Sequence, residues 1–118
     1  MNKSATQQAG DLLTKALSLD PKCFDAYLQL GILAASRHDY EKAIQLYTKA
    51  IEVDPQLGEA HYRLGVAYDR LGDHEKAKSE FELHSEIEKR QAAAVEHERR
   101  EIKQFVVVQG QPATSISH

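Results

Sequence analysis

A single cysteine, Cys23, in a chain of 118 residues excludes an intrachain disulfide, so no covalent staple holds this fold. Cysteine usage leaves the compartment open and is compatible with a reducing cytosol. Neither sign of charge dominates. Fifteen Lys+Arg face 18 Asp+Glu for a formal net charge of −3, and without a basic field nucleic acid is not an expected partner. Apolar runs are short, as in Phe105-Val106-Val107-Val108, far below the roughly 20 residues that a spanning helix requires. Met1 to Gln8 is polar and runs into no apolar stretch, unlike a secretory signal. No membrane is expected as a partner, and the chain reads as cytoplasmic, with a fragment of an exported protein as the open alternative.

Catalytic and metal chemistry are equally thin. The six histidines (His38, His61, His74, His84, His97 and His118) include no two at i, i+3 or i, i+4, so no helical metal pair is written locally. His61 and His84 fall on faces expected to pack and read as interior histidines. Cys23, beside Lys22 near a helix start, reads as a lone, partly buried thiol. Serines and threonines stand in no recognisable triad setting. Gly31 and Gly65 lie inside helical patterns rather than in a phosphate loop, and Arg99-Arg100 is flanked by Glu98 and Glu101. The expectation is a chain that is not an enzyme and uses no cofactor and no metal.

What the sequence does hold is a repeat. Shifted by 34 residues it aligns on itself without gaps: Ala26 on Ala60, Leu30 on Leu64, Gly31 on Gly65, Asp39 on Asp73 and Ala43 on Ala77. The register also runs backwards, with Ala9 on Ala43, Leu13 on Tyr47, Ala16 on Ala50 and Asp20-Pro21 on Asp54-Pro55. A fixed period of this size is the mark of stacked repeats. Each unit reads as two helices. The first spans Asp25 to Ser36, and the second, Tyr40 to Val53, carries the stripe Ala43, Ile44, Tyr47, Ala50, Ile51. Asp39 and Asp73 are placed to cap helix starts, and Asp-Pro pairs end the second helices. Gly72 suits a left-handed corner, so its counterpart His38 predicts a corner that is strained or rebuilt. Small Gly31 and Gly65 face small Ala43 and Ala77, while Tyr47 and Phe81 fill the wider gaps. No single unit buries both of its faces, so neighbours must stack.

The pattern Leu-Gly, Ala, aromatic, Ala, Asp-Pro at this period resembles the tetratricopeptide repeat family. Leu30, Gly31, Tyr40, Ala43, Tyr47, Ala50 and Pro55 carry the match in one unit, and Leu64, Gly65, Tyr68, Gly72, Asp73, Ala77 and Phe81 in the next. His84 and Lys89 depart from it, replacing the small residue and the terminal proline. The resemblance implies an all-α solenoid of antiparallel helix pairs, two full units after a leading half unit, running into a long carboxy-terminal helix. Domain bounds are expected at 1–23 (half repeat), 24–57, 58–91, 92–108 (charged helical extension) and 109–118 (disordered tail). It also implies that the first helices line a concave groove for a peptide or helix. On this register the groove holds Asp25, Leu28, Ile32 and Ser36, then Glu59, Tyr62, Val66, Asp69 and Arg70. Members that clamp a terminal carboxylate use Lys and Asn where this chain has Leu28 and Ile32, so that ligand is not expected. An apolar strip with an acidic rim at Asp25, Glu59 and Asp69 favours an amphipathic helix with basic flanks, or the protein's own long helix. The competing reading makes Leu28, Ile32 and Val66 simple core.

The repeat is broken at both ends. Nothing after Asp73 stops a helix until Gly110, so one helix from His74 to about Phe105 is expected, laced with pairs such as Glu86–Arg90 and Glu96–Arg100. Phe105-Val106-Val107-Val108 reads as a sticky or edge-strand segment. The leading half unit has no first helix to cover its apolar side. The long helix reads first as an extended solvating cap. The sharper reading has it dock with another copy, with Leu13 and Leu17 of the half unit and Val95, Ile102 and Phe105 of the long helix as the candidate self-association residues. Two readings follow: a non-enzymatic adaptor that holds a protein or peptide partner, or a self-assembling homodimer, in one form helix-exchanged.

Overall fold

A computed structural model of the chain describes residues 3–108, and every regular element among them is a helix. These are α1 (Ala5–Leu19), α2 (Phe24–Ser36), α3 (Tyr40–Val53), α4 (Gly58–Arg70) and α5 (His74–Val108). Two compact units divide the chain, residues 1–87 and 88–118. In the first, α1 packs on α2, α2 on α3 and α3 on α4, as an all-α solenoid of helix pairs requires. The described part of the second is the continuation of α5, exposed at every position from Glu88 to Val107. The expected tail at 109–118 lies outside the described residues.

The period written in the sequence reappears bond for bond. Asp39 Oδ1 accepts from the Lys42 amide at 3.2 Å and Asp73 Oδ1 from the Lys76 amide at 3.3 Å, each satisfying a donor that a helix start leaves free. Between units, Asp20 Oδ1 accepts from the Lys22 amide at 3.0 Å and Asp54 Oδ1 from the Gln56 amide at 3.1 Å. The proline inside each of these turns has no amide to continue the helix, and α1 and α3 end just before them, at Leu19 and Val53.

Both helix–helix corners close through the same bonds. The Asp39 amide donates to the Ala34 carbonyl and the Asp73 amide to the Tyr68 carbonyl, each at 2.9 Å. That closure needs a left-handed residue, supplied by Gly72 at φ 85° and by His38 at φ 63°. The corner at His38 is therefore strained, not rebuilt. Its imidazole Nδ1 lies 3.0 Å from the Tyr40 hydroxyl, a local bond that partly offsets the strain.

The core follows the small-to-large alternation. A Cβ on Gly31 would fall 2.5 Å from the Tyr47 ring, and one on Gly65 2.6 Å from the Phe81 ring. These glycines are there for close approach: each lets an aromatic ring lie on helix backbone. Leu28, Ala34, Ala43, Tyr47, Ala50, Ala60, Leu64 and Ala67 form one buried cluster across α2, α3 and α4.

One expectation fails. Phe105 to Val108 are not an edge strand; they are the last residues of α5, which runs for 35 residues, the helical alternative that the expected bound at 108 leaves open. Each residue added to an existing helix gains a backbone bond, and that gain outweighs the modest helix penalty of valine. Along 88–108 the surface is laced with short-range pairs, Arg99–Glu96 at 3.4 Å, Arg100–Glu96 at 3.9 Å and His97–Glu101 at 3.4 Å.

Candidate functional site

The face shared by α2 and α4 divides its expected groove residues into three kinds. Leu28 is 2% exposed and belongs to the core cluster, so here the packing reading holds and Leu28 offers nothing to a partner. Ile32 and Val66 are half-buried, Ile32 against the core. Asp25, Ser36, Glu59, Tyr62, Asp69 and Arg70 are exposed. Ser36 turns its hydroxyl back onto the Leu33 carbonyl at 2.6 Å, which leaves it a structural rather than a recognising group.

Tyr62 and Val66 are brought together by a cavity of about 230 Å³ where the end of α2 meets α3 and α4. Ala35, Tyr40, Tyr47, Arg63 and Ala67 complete its lining. Tyr62 stands 49% exposed at its mouth, with its ring held at 5.6 Å from Phe81 and 5.3 Å from His84. A rigid aromatic body that keeps one side open is a typical anchor for a protein ligand. The Arg63 Nε donates to Glu59 at 2.9 Å, and Arg63 lines the cavity together with Tyr47. Burial pushes the Tyr47 phenol above its ordinary range, against the pull of the Arg63 cation. Tyr47 therefore keeps its proton.

Arg63, Tyr40 and the Tyr47 hydroxyl were not among the expected groove residues. The signal for Arg63 was present, since Glu59 stands four residues before it on the same helix face. The acidic rim is also less free than expected. Asp69 is engaged by His74 and Glu59 by Arg63, leaving Asp25 as the rim carboxylate outside these pairs.

Both interior histidines are satisfied. His61 is buried, its Nδ1 2.7 Å from Glu80 Oε1 and its Nε2 3.1 Å from the Pro55 carbonyl. Neither nitrogen is left for a metal. His84 Nδ1 lies 3.0 Å from the Gly58 carbonyl, tying α5 to the start of α4. Among the described residues no group of three or more potential metal ligands converges, and no helix is long and apolar enough to cross a membrane.

The self-association candidates also separate. Leu13 and Leu17 are half-buried on the side of α1 that meets α2. The exposed apolar residues of α1 are instead Leu12 and Leu19. Val95, Ile102 and Phe105 are exposed in the second unit.

Comparison with known proteins now adds to the geometry. Family models described as tetratricopeptide repeat match residues 12–45 and 58–90, and one described as TPR repeat matches 35–72. No curated protein matches. Among solved structures, one crystal structure of MamA is 33% identical over 75% of this chain and 52% of its own, with a TM-score of 0.72. A second MamA structure is 33% identical over 75% of this chain and 48% of its own, at 0.68. A third is 26% identical over 73% and 49%, also at 0.68. The chain thus spans about half the length of the solved structures it matches.

Proposed function

The chain belongs to the tetratricopeptide repeat family, and from that premise we propose that it is a non-enzymatic interaction module that holds a peptide or helical segment of a partner protein along the α2–α4 face. The observation that carries this reading is the cavity beside Tyr62, whose aromatic and aliphatic walls suit one large apolar side chain. Arg63 at its edge is anchored by Glu59, so it is held in place to bond a ligand carbonyl or carboxylate. Asp25 on α2, the rim carboxylate outside the ion pairs, adds the negative charge that would select a basic flank.

The test is a fluorescence-anisotropy titration of lysine-flanked amphipathic helical peptides against the full chain and against an Asp25→Lys/Tyr62→Ala variant. Both positions are exposed, so circular dichroism should be unchanged. A loss of affinity of roughly tenfold or more supports the reading. Equal binding by the variant, or binding that maps to α1 or to residues 88–108, removes it.

A second reading, self-assembly, rests on a separate observation. The large exposed apolar side chains include Leu12 and Leu19 on α1 and Val95, Ile102 and Phe105 in residues 88–108. Apolar surface of this kind is the usual mark of an interface. Light scattering on the same samples separates the two readings: a dimer that survives dilution and dissociates on Ile102→Asp would favour assembly.

A further inference from the structure

The two repeats are alike enough that one can be used as a template for what the other lacks. Where the second repeat meets the first, Ile44 of α3 and Tyr68 of α4 are packed against the core, and the Lys76 ammonium lies 5.5 Å from the centre of the Tyr68 ring. Moved back by 34 residues, those three positions are Gly10, Ala34 and Lys42. The cation is kept while the ring and the isoleucine are gone. In their place is a cavity of about 460 Å³ between α1, α2 and α3. Gly10, Leu17, Leu30, Ala34 and Lys42 lie on its walls. At the neighbouring position the sizes are reversed, Leu33 against Ala67, yet Leu33 only lines the cavity and does not close it.

We propose that this cavity is a second binding site, distinct from the α2–α4 face, that accepts an aromatic side chain of a protein partner in the place Tyr68 fills in the next repeat. The occupant's chemistry is read from the chain itself. A planar ring fits between leucine walls, and a lysine ammonium over its face adds a cation–π attraction. The floor of Leu17 and Leu30 gives the apolar contact. Of the charged lining, Asp11 is paired with Lys3 and Asp39 caps α3, while Arg37 and Lys42 favour an electron-rich ring, tyrosine or tryptophan, over an aliphatic side chain. Because Ala34 and Tyr68 share one backbone setting, down to the corner bonds they accept from the Asp39 and Asp73 amides, the missing ring is a local difference in side chain and not a change of fold.

The experiment uses the full chain, isotope-labelled, titrated with N-acetyl-tyrosinamide and, in parallel, N-acetyl-leucinamide, followed by amide chemical shifts. Saturating shifts at Gly10, Thr14, Leu33 and Lys42 are expected in the millimolar range, as befits a ligand of so few atoms. The leucine probe should bind roughly tenfold more weakly or not at all, and Lys42→Met should weaken the tyrosine probe several-fold. Ala34→Tyr, which installs the second repeat's own ring, should abolish binding and raise the melting temperature. Gly10→Ile, which installs the counterpart of Ile44, should do the same if Ala34→Tyr does not fold. Shifts that fail to saturate, that fall elsewhere, that are equal for both probes, or that persist in the filled variants overturn the proposal.

Discussion

The α2–α3 pair and the pair made by α4 with residues 74–87 share one backbone template but differ in what fills it. The first is an aromatic and aliphatic core: Tyr27 and Leu46 are half-buried against the core cluster and Ala50 is fully buried. At the same three places the second pair carries His61, Glu80 and His84. A carboxylate-to-imidazole bond and two carbonyl contacts there substitute for apolar contact. Directional bonds demand partners at fixed distances, whereas apolar packing asks only for volume. The second pair should therefore be the less tolerant of losing one polar partner, and the first the less tolerant of gaining an atom.

The largest effect should come from adding one atom to each pair. Gly31→Ala drives a methyl into the ring of Tyr47, which is 2% exposed and has no room to retreat. A cost of about 2 kcal/mol is expected from overpacking, after the helix propensity gained by alanine. Gly65→Ala meets Phe81, whose ring is only half-buried and has room to yield, so about half that cost is expected. Urea unfolding of both variants checks the order. If the two are equal, the burial of the ring does not control the cost.

Next in size is Glu80→Leu, which copies Leu46 into the second pair and orphans His61 Nδ1. A loss of about 1–2 kcal/mol is expected for the unsatisfied buried nitrogen. Glu80→Gln keeps an acceptor and should cost less, so thermal melts of the two variants isolate the hydrogen bond from the packing. Adding His61→Tyr to Glu80→Leu imports both residues of the first pair and should recover much of the loss. If the double variant is no better than the single one, the polar pair is not an independent module.

The smallest effect compares the corners. His38→Gly relieves a left-handed non-glycine residue and should gain about 0.5 kcal/mol, the strain relieved less the entropy a glycine brings. Gly72→Ala should lose about 1 kcal/mol at the matching place. Opposite signs at equivalent positions are the outcome to look for in paired melting curves. A loss at His38 would mean that its bond to Tyr40 outweighs the strain.

The architecture was legible because it is periodic. The spacing of Ala43, Tyr47 and Ala50, the capping aspartates and the Asp-Pro stops each recur, and a recurring local preference accumulates into a register that chance does not supply. Leu28 was misplaced because an apolar residue on a first helix has two neighbours competing for it, the groove and the next helix, and periodicity alone does not rank them. Phe105 to Val107 were misread because a run of β-branched residues was weighed by its own preference and not by the helix already leading into it. The His61–Glu80 bond stayed hidden for another reason. It joins residues on different helices, and the reach of a side chain across an interface is not written in any one segment.

Tyr47 links the two halves of that comparison. Its ring rests on the backbone of Gly31 in its own pair, and it lines one cavity together with Arg63, Val66 and Ala67 of the next. In a one-dimensional lattice of repeats, stability divides into a field on each site and a coupling between neighbours. Here a single residue contributes to both quantities at once. Trimming it weakens a site and severs a link together, so the α2–α3 pair and α4 should melt as one lattice, with Tyr47 as the bond that sets its correlation length.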